Sequence, residues 1–175
     1  MQGLRISAFE LPDAGELLSE LGARLGGALR LRPELAPLPF DPAPLFDRLR
    51  NQYDATKLLR KLEPSADGRF LLAVTDSDLF MPVFTFVLGE AHLGGKAALV
   101  STYRLREERY GLPPNPALLR TRLARAAIHE LGHCFGLAHC RNSRCVMYAA
   151  ASVEEVDLKG DDLCGRCAAA VASSR

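Results

Sequence analysis

The residues able to do chemistry are crowded into one stretch. All five cysteines and three of the four histidines fall between His129 and Cys167, and the chain before them holds only His92. Within that stretch, His129-Glu130-Leu131-Gly132-His133 places two imidazoles one helical turn apart, where both can reach a single divalent cation. Gly136 can take the left-handed conformation that ends a helix and turns the chain sharply, so that His139 can return to the same metal. Three neutral nitrogen ligands suit Zn²⁺ and leave one coordination position open. Glu130 sits one residue beyond the first ligand, beside the metal rather than on it, and is the expected general base. Zinc lowers the pKa of a bound water from about 15.7 toward about 7 and polarises a scissile carbonyl, while the glutamate passes the proton to the leaving amine. The chemistry expected is hydrolysis of a peptide or other amide bond.

Any one of these histidines alone is better explained as a hydrogen-bonded core or surface residue. The joint spacing of two histidines, a glutamate, a glycine and a third histidine reverses that judgement. Cys140, Cys145 and the C-x-x-C pair Cys164 and Cys167 supply four thiolates suited to a closed tetrahedral zinc site. With no open position, such a site fastens the segment after the helix rather than performing chemistry. Two disulfides are the alternative, disfavoured because a chain without secretory features resides where thiols stay reduced. A nucleic-acid-binding knuckle is disfavoured too, since Arg141, Arg144 and Arg166 come with no interleaved aromatic except Tyr148. Cys134, inside the helix, is expected to fill a small apolar gap.

The run His129 to His139 resembles the metzincin metalloprotease pattern, with Met147 where that clan places its Met-turn. The interleaved cysteines narrow the resemblance to the archaemetzincins, over Ile128 to Cys167. Asn51 to Ala55, Val74 to Leu79 and Phe86 to Ala91 also look like that family's N-terminal half. The resemblance implies a metzincin-like α/β (α+β) fold: a twisted mixed sheet, an active-site helix below the cleft, and a small zinc-bound C-terminal subdomain. The chain, 1–175, then reads as one catalytic domain, with an N-terminal subdomain of about 1–138 and a C-terminal one of about 139–175. It further implies that Val83 to Leu88 is the strand edging the cleft, where an extended peptide can add by main-chain pairing. Met147 is a hydrophobic base for the site rather than a ligand, and Tyr148 is left out of the catalytic set.

The elements that must position these residues follow from periodicity. Leu4, Ile6 and Ala8 alternate as in a half-buried strand, and Asp13 with Glu16 resembles a capping box opening a helix through Leu17, Leu18, Leu21, Leu25 and Leu29. Gly22, Gly26 and Gly27 are expected to pack closely against a sheet. Pro33 to Pro44 carries five prolines and reads as a surface loop. Gln52 to Leu62 reads as an amphipathic helix whose Lys57, Arg60 and Lys61 form a solvated face. Phe70 to Thr75, Val83 to Leu88 and Ala97 to Ser101 read as strands. Asn115 as N-cap and Pro116 at the first helical position open the helix that carries His129 and His133, with Leu119, Leu123, Ala127, Leu131 and Phe135 on its opposite face. Asp76 and Asp78 are explained by a turn after a strand, and His92 by an exposed loop.

Composition excludes other classes. The 175 residues are 48% hydrophobic and 25% charged, enough for one domain with a sizeable core and unlike a disordered tail. Lys plus Arg number 22 against 21 Asp plus Glu, so no charge excess points to nucleic acid. No signal-peptide core or membrane-length apolar run is present, and a cytoplasmic, monomeric protein is expected. The function expected is a zinc-dependent metallopeptidase with two zinc ions per chain and a peptide or protein substrate. The alternatives are a two-zinc peptide-binding or regulatory module with little turnover, and a hydrolase of another amide or of RNA phosphodiesters. Glu130 disfavours the binding module, since a purely structural three-histidine site has no need of a carboxylate there.

Overall fold

The computed structural model describes residues 1–174. The first half contains strand β1 (Gly3–Phe9), helix α1 (Ala14–Leu29), strands β2 (Arg32–Leu35), β3 (Phe46–Asp47) and β4 (Gln52–Asp54), and helix α2 (Ala55–Ser65). Strands β5 (Phe70–Thr75), β6 (Leu79–Met81), β7 (Phe84–Val87), β8 (Gly89–Ala91) and β9 (Ala97–Ser101) follow. Helices α3 (Pro116–Cys134), α4 (Val153–Leu158) and α5 (Gly165–Ser173) complete the chain.

The main sheet has the order β2-β1-β5-β9-β8, parallel except for β8, which runs antiparallel to β9. A smaller sheet has the order β3-β4-β6-β7. Strands β5 and β9 are buried throughout, as the continuous apolar runs of central parallel strands require. Their side chains alternate between two cores. Leu72, Val74, Ala98 and Val100 join Leu21, Leu25 and Leu29 of α1 and Leu123, Ala127 and Leu131 of α3. Leu71, Ala73, Ala97 and Leu99 join Leu58, Leu59 and Leu62 of α2 on the other face. The mixed sheet sandwiched by helices is the α/β architecture expected.

Several local readings need correction. Asp13 does precede α1, but at φ 51° and ψ 35° its side chain caps nothing, so the capping box does not form. The helix owes its place instead to the buried stripe of Leu18, Leu21, Leu25 and Leu29. The proline segment is not all loop, because Pro33 lies in the exposed edge strand β2, where a missing N–H is tolerated. Gln52 to Asp54 form β4 rather than the first turn of α2, which starts where the Asp54 carboxylate accepts from Lys57 N at 3.0 Å. Val83 to Leu88 is divided: Phe84 to Val87 pairs with β6 in the smaller sheet, and the main sheet's edge opposite β2 is β8. As expected, a Cβ on Gly22 would lie 3.2 Å from Pro33 Cβ and 3.3 Å from Ile6 Cδ1, so α1 and the sheet approach closely there. Gly27 meets nothing.

Helix α3 opens as read, with the Asn115 side chain accepting from Leu118 N at 3.1 Å. Its middle is tied to the C-terminal segment by Arg122, a buried guanidinium held by Asp157 at 2.6 and 2.8 Å, Glu107 at 2.6 Å and Leu105 O at 2.9 Å. Cys145, Val146, Met147, Val156, Cys167 and Val171 complete the core on the α3 side of the sheet. No helix among the described residues is long and apolar enough to cross a membrane.

Candidate active site

Helix α3 delivers His129 and His133 on successive turns at its end. Gly136 then takes φ 85°, its N–H donating to His133 O at 2.8 Å, and the reversed chain brings His139 back. One ring nitrogen from each histidine lies within 4.8 Å of the others. The Nε2 atoms of His129 and His133 face each other at 3.2 Å. On the far side of the rings, His129 Nδ1 meets Val146 O at 2.9 Å and His133 Nδ1 meets Leu137 O at 2.7 Å. A carbonyl only accepts, so each Nδ1 carries the proton and each Nε2 presents a lone pair. Burial holds the His129 imidazole down to about 3 and lowers that of His133, favouring the neutral rings such a lone pair needs. Lone pairs at this separation repel unless a cation lies between them. Tetrahedral zinc at about 2.0–2.1 Å from nitrogen sets its ligands about 3.3–3.4 Å apart, so the donor set fits a zinc ion.

Beneath the histidines, Met147 packs into the space left open by Gly132. A Cβ there would overlap the Met147 sulfur and sit 3.0 Å from its Cε. This Met147 position suits the floor of the site that the resemblance implies. Val146 O, one residue earlier, is the carbonyl that orients His129.

Glu130 is directed toward β8. A Cβ on Gly89 would lie 2.9 Å from Glu130 Cγ and 2.6 Å from Leu99 O, so the absence of a side chain at Gly89 makes room for the glutamate. Burial pushes the Glu130 carboxyl up to about 8, against an opposing pull from Lys159 and a further push from Glu90. Neither Gly89 nor Lys159 stands out in the sequence. Gly89 lies in a strand-like run, a known sign of close backbone approach, whereas a lone lysine after an amphipathic turn carries no signal.

These residues open onto a cleft of about 550 Å³. One wall is Phe84, Phe86 and the β8 edge, the other is Tyr148 to Ala151 with Glu155, Val156 and Lys159. The cleft edge therefore runs from β7 into β8, further along the chain than Val83 to Leu88. Asp78, read as a turn residue, also holds the structure together, because it binds Arg104 at 2.7 and 2.8 Å, and that guanidinium stacks 3.8 Å from the Phe86 ring centroid. Asp76 likewise holds Arg106 at 2.6 Å. His92 is half exposed and faces Glu63 at 3.6 Å, apart from the histidine cluster, as expected. Its loop nevertheless steadies the site, because Gly94 N donates to His133 O at 2.8 Å.

The sulfurs of Cys140, Cys145, Cys164 and Cys167 also gather within 4.8 Å of one another. All five cysteines are free thiols, and Cys140 and Cys164 stand 3.9 Å apart, far beyond the disulfide bond length of about 2.05 Å. Tetrahedral zinc with bonds of about 2.3 Å places sulfurs about 3.8 Å apart, so this donor set fits zinc as well. The backbone N–H of Cys167 lowers the Cys164 thiol to about 7, and the N–H of Asn142 lowers that of Cys140. Cys145 and Cys167 are pushed up by burial. Cys134 belongs to neither cluster. It packs in the core with its thiol donating to Ala97 O at 3.3 Å and pushed up to about 12 by burial, the filler role expected.

Fold and site together define a zinc metallopeptidase. The model of Peptidase family M54 matches residues 43–173. The chain is 43% identical over 134 residues to the archaemetzincin of Methanocaldococcus jannaschii, covering 77% of this chain and 74% of that one. A crystal structure of a zinc-dependent peptidase from Methanocorpusculum labreanum is similar at TM-score 0.85 and 29% identity, over 97% of this chain and 100% of that one. The archaemetzincin of Methanopyrus kandleri is similar at TM-score 0.81 and 31% identity, over 99% and 94%. The chain belongs to Peptidase family M54, and the archaemetzincin resemblance carried by Ile128 to Cys167 extends over the fold.

Proposed function

We propose that this protein hydrolyses peptide bonds, with His129, His133 and His139 holding a catalytic zinc and Glu130 serving as general base. Cys140, Cys145, Cys164 and Cys167 hold a second, structural zinc, and the chain acts as a monomer. The observation that carries this reading is the pair of Nε2 atoms facing each other at 3.2 Å, with Glu130 between them in sequence, partly buried and lining the same cleft.

Zinc, when bound, supplies Lewis acidity toward water and the scissile carbonyl. The chain supplies the rest. The carbonyls of Val146 and Leu137 fix both Nδ1 protons, so the Nε2 atoms are presented as ligands without rearrangement. A Glu130 oxygen takes the proton from the attacking water and returns it to the leaving amine. Burial raises the proton affinity of the Glu130 carboxyl, which helps it hold that proton between the two transfers. The β8 edge, terminal in its sheet, offers main-chain groups to an extended peptide. Phe86 and Val87 wall the cleft on the same side.

The test is Glu130→Gln, assayed against a mixed peptide library with zinc content measured in parallel. Cleavage should fall by about a thousandfold or more while bound zinc is unchanged. Undiminished cleavage by the variant would remove Glu130 from the mechanism, and a wild type that cleaves nothing while holding zinc would favour a binding module.

A further inference from the structure

Lys159 is 4% exposed, yet it lines the cleft that holds His129, Glu130, His133 and His139. Among the described residues no carboxylate forms an ion pair with it. The contacts of its ammonium are His129 Nδ1 at 3.3 Å and Tyr148 O at 3.5 Å. The first accepts nothing, because the Nδ1 proton is directed at Val146 O at 2.9 Å. The second is at the limit of a hydrogen bond. A buried ammonium normally finds a carboxylate or several good acceptors, and this one has a single weak acceptor.

Of the carboxylates lining the cleft, Glu130 attracts Lys159 through space but forms no ion pair with it, and the other two are engaged elsewhere. Glu155 accepts from Ala151 N at 2.5 Å at the exposed rim, and Glu90 accepts from Thr56 Oγ1 at 3.1 Å. Leaving the histidines aside, Lys159 is the one cation in the lining. Small and apolar residues, Ala126, Ala150 and Val156, line the same cleft. The lysine is held in place by a neighbouring buried network: α4, which ends immediately before it, is tied to α3 through the Arg122–Asp157 pair. A buried cation in the cleft lining, 3.3 Å from the His129 ring and with no ion-pair partner, has capacity left for an anion brought by the substrate.

Resting on the peptidase reading above, we propose that Lys159 is a specificity-determining residue, and that the pocket it closes takes a carboxylate of the peptide next to the scissile bond. The carboxylate can be an aspartate or glutamate side chain or the peptide's own C-terminus. Either gives the ammonium a charge-assisted partner out of water, whereas an amide of the same shape does not.

The experiment measures binding and cleavage separately. Zinc-loaded Glu130→Gln protein is titrated with blocked hexapeptides that differ only in Glu, Gln, Leu or Lys at a single position, and with the Gln peptide carrying a free C-terminus. Cleavage of the same set by wild type locates the bond. The expected result is binding of the Glu peptide about tenfold or more tighter than the Gln peptide, with cleavage next to the glutamate. Tighter binding of the free C-terminal peptide alone would assign the pocket to the terminal carboxylate. In Lys159→Met, and independently in Lys159→Gln, the Glu-to-Gln preference should vanish or invert, and Lys159→Arg should restore part of it. A wild type that cleaves without favouring Glu or the free terminus overturns the proposal while leaving the peptidase reading intact. So does a preference that survives in both Lys159 variants. Absence of cleavage in wild type counts against the peptidase reading, while the binding titration still decides the role of Lys159.

Discussion

Met147 lies where a side chain on Gly132 would have to be, so the glycine between the two helical histidines and the methionine beneath them are a matched pair. Neither residue touches the reacting atoms, but together they set how closely the segment that orients His129 through Val146 O can approach α3.

Gly132→Ala is therefore expected to destabilise the protein by about 1–3 kcal/mol, the range for overpacking a filled core. It should also weaken zinc binding at the histidines by displacing Val146. Thermal unfolding and a zinc-chelator competition check both effects. Adding Met147→Ala should recover part of the loss, since neighbouring sites couple.

The two metal clusters should respond independently. Wild type is expected to bind two zinc ions, His133→Ala one, and Cys164→Ser one, with the single remaining ion at the untouched cluster, as read by elemental analysis. Cys164→Ser should unfold at markedly lower temperature, because a closed four-thiolate site contributes folding energy. His133→Ala should change stability less. Finding no zinc at the cysteines together with loss of all free thiols would instead indicate disulfides.

The Arg122 side chain is only 5% exposed and is bound by Asp157 and Glu107. Arg122→Leu strands two carboxylates whose partner is gone, one of them a third exposed and so partly hydrated. A loss of about 2–3 kcal/mol is expected in denaturant unfolding. Because α4 precedes Lys159, substrate discrimination should weaken as well as stability.

Much of the catalytic helix was legible in the sequence because its signals are local. Asn115 and Pro116 mark its start, Gly136 its end, and the spacing of His129 and His133 its functional face. The strands Phe70 to Thr75 and Ala97 to Ser101 were legible for a related reason: central parallel strands are unbroken apolar runs. What escaped depends on contacts distant in sequence. Pro33 lies in a strand only because β1 pairs with it on one edge. Asp78 is a buried ion-pair partner only because Arg104 comes to it from the segment after β9. Asp13 kept its position but lost its expected role, since its backbone is left-handed rather than extended and its side chain makes no cap hydrogen bond. The same holds in the site. The four cysteines and three histidines announced themselves by spacing, while Gly89, Gly132 and Lys159 matter through residues on other elements, which no single local pattern encodes.

Anomalous diffraction at the zinc edge, on crystals of the zinc-loaded protein, tests the central claim most directly. It should show one peak bonded to the Nε2 atoms of His129, His133 and His139 with Glu130 outside bonding distance, and a second among the four cysteine sulfurs. A histidine cluster with no peak, a peak lacking one of the three rings, or a metal bonded by the Glu130 carboxylate would contradict the account.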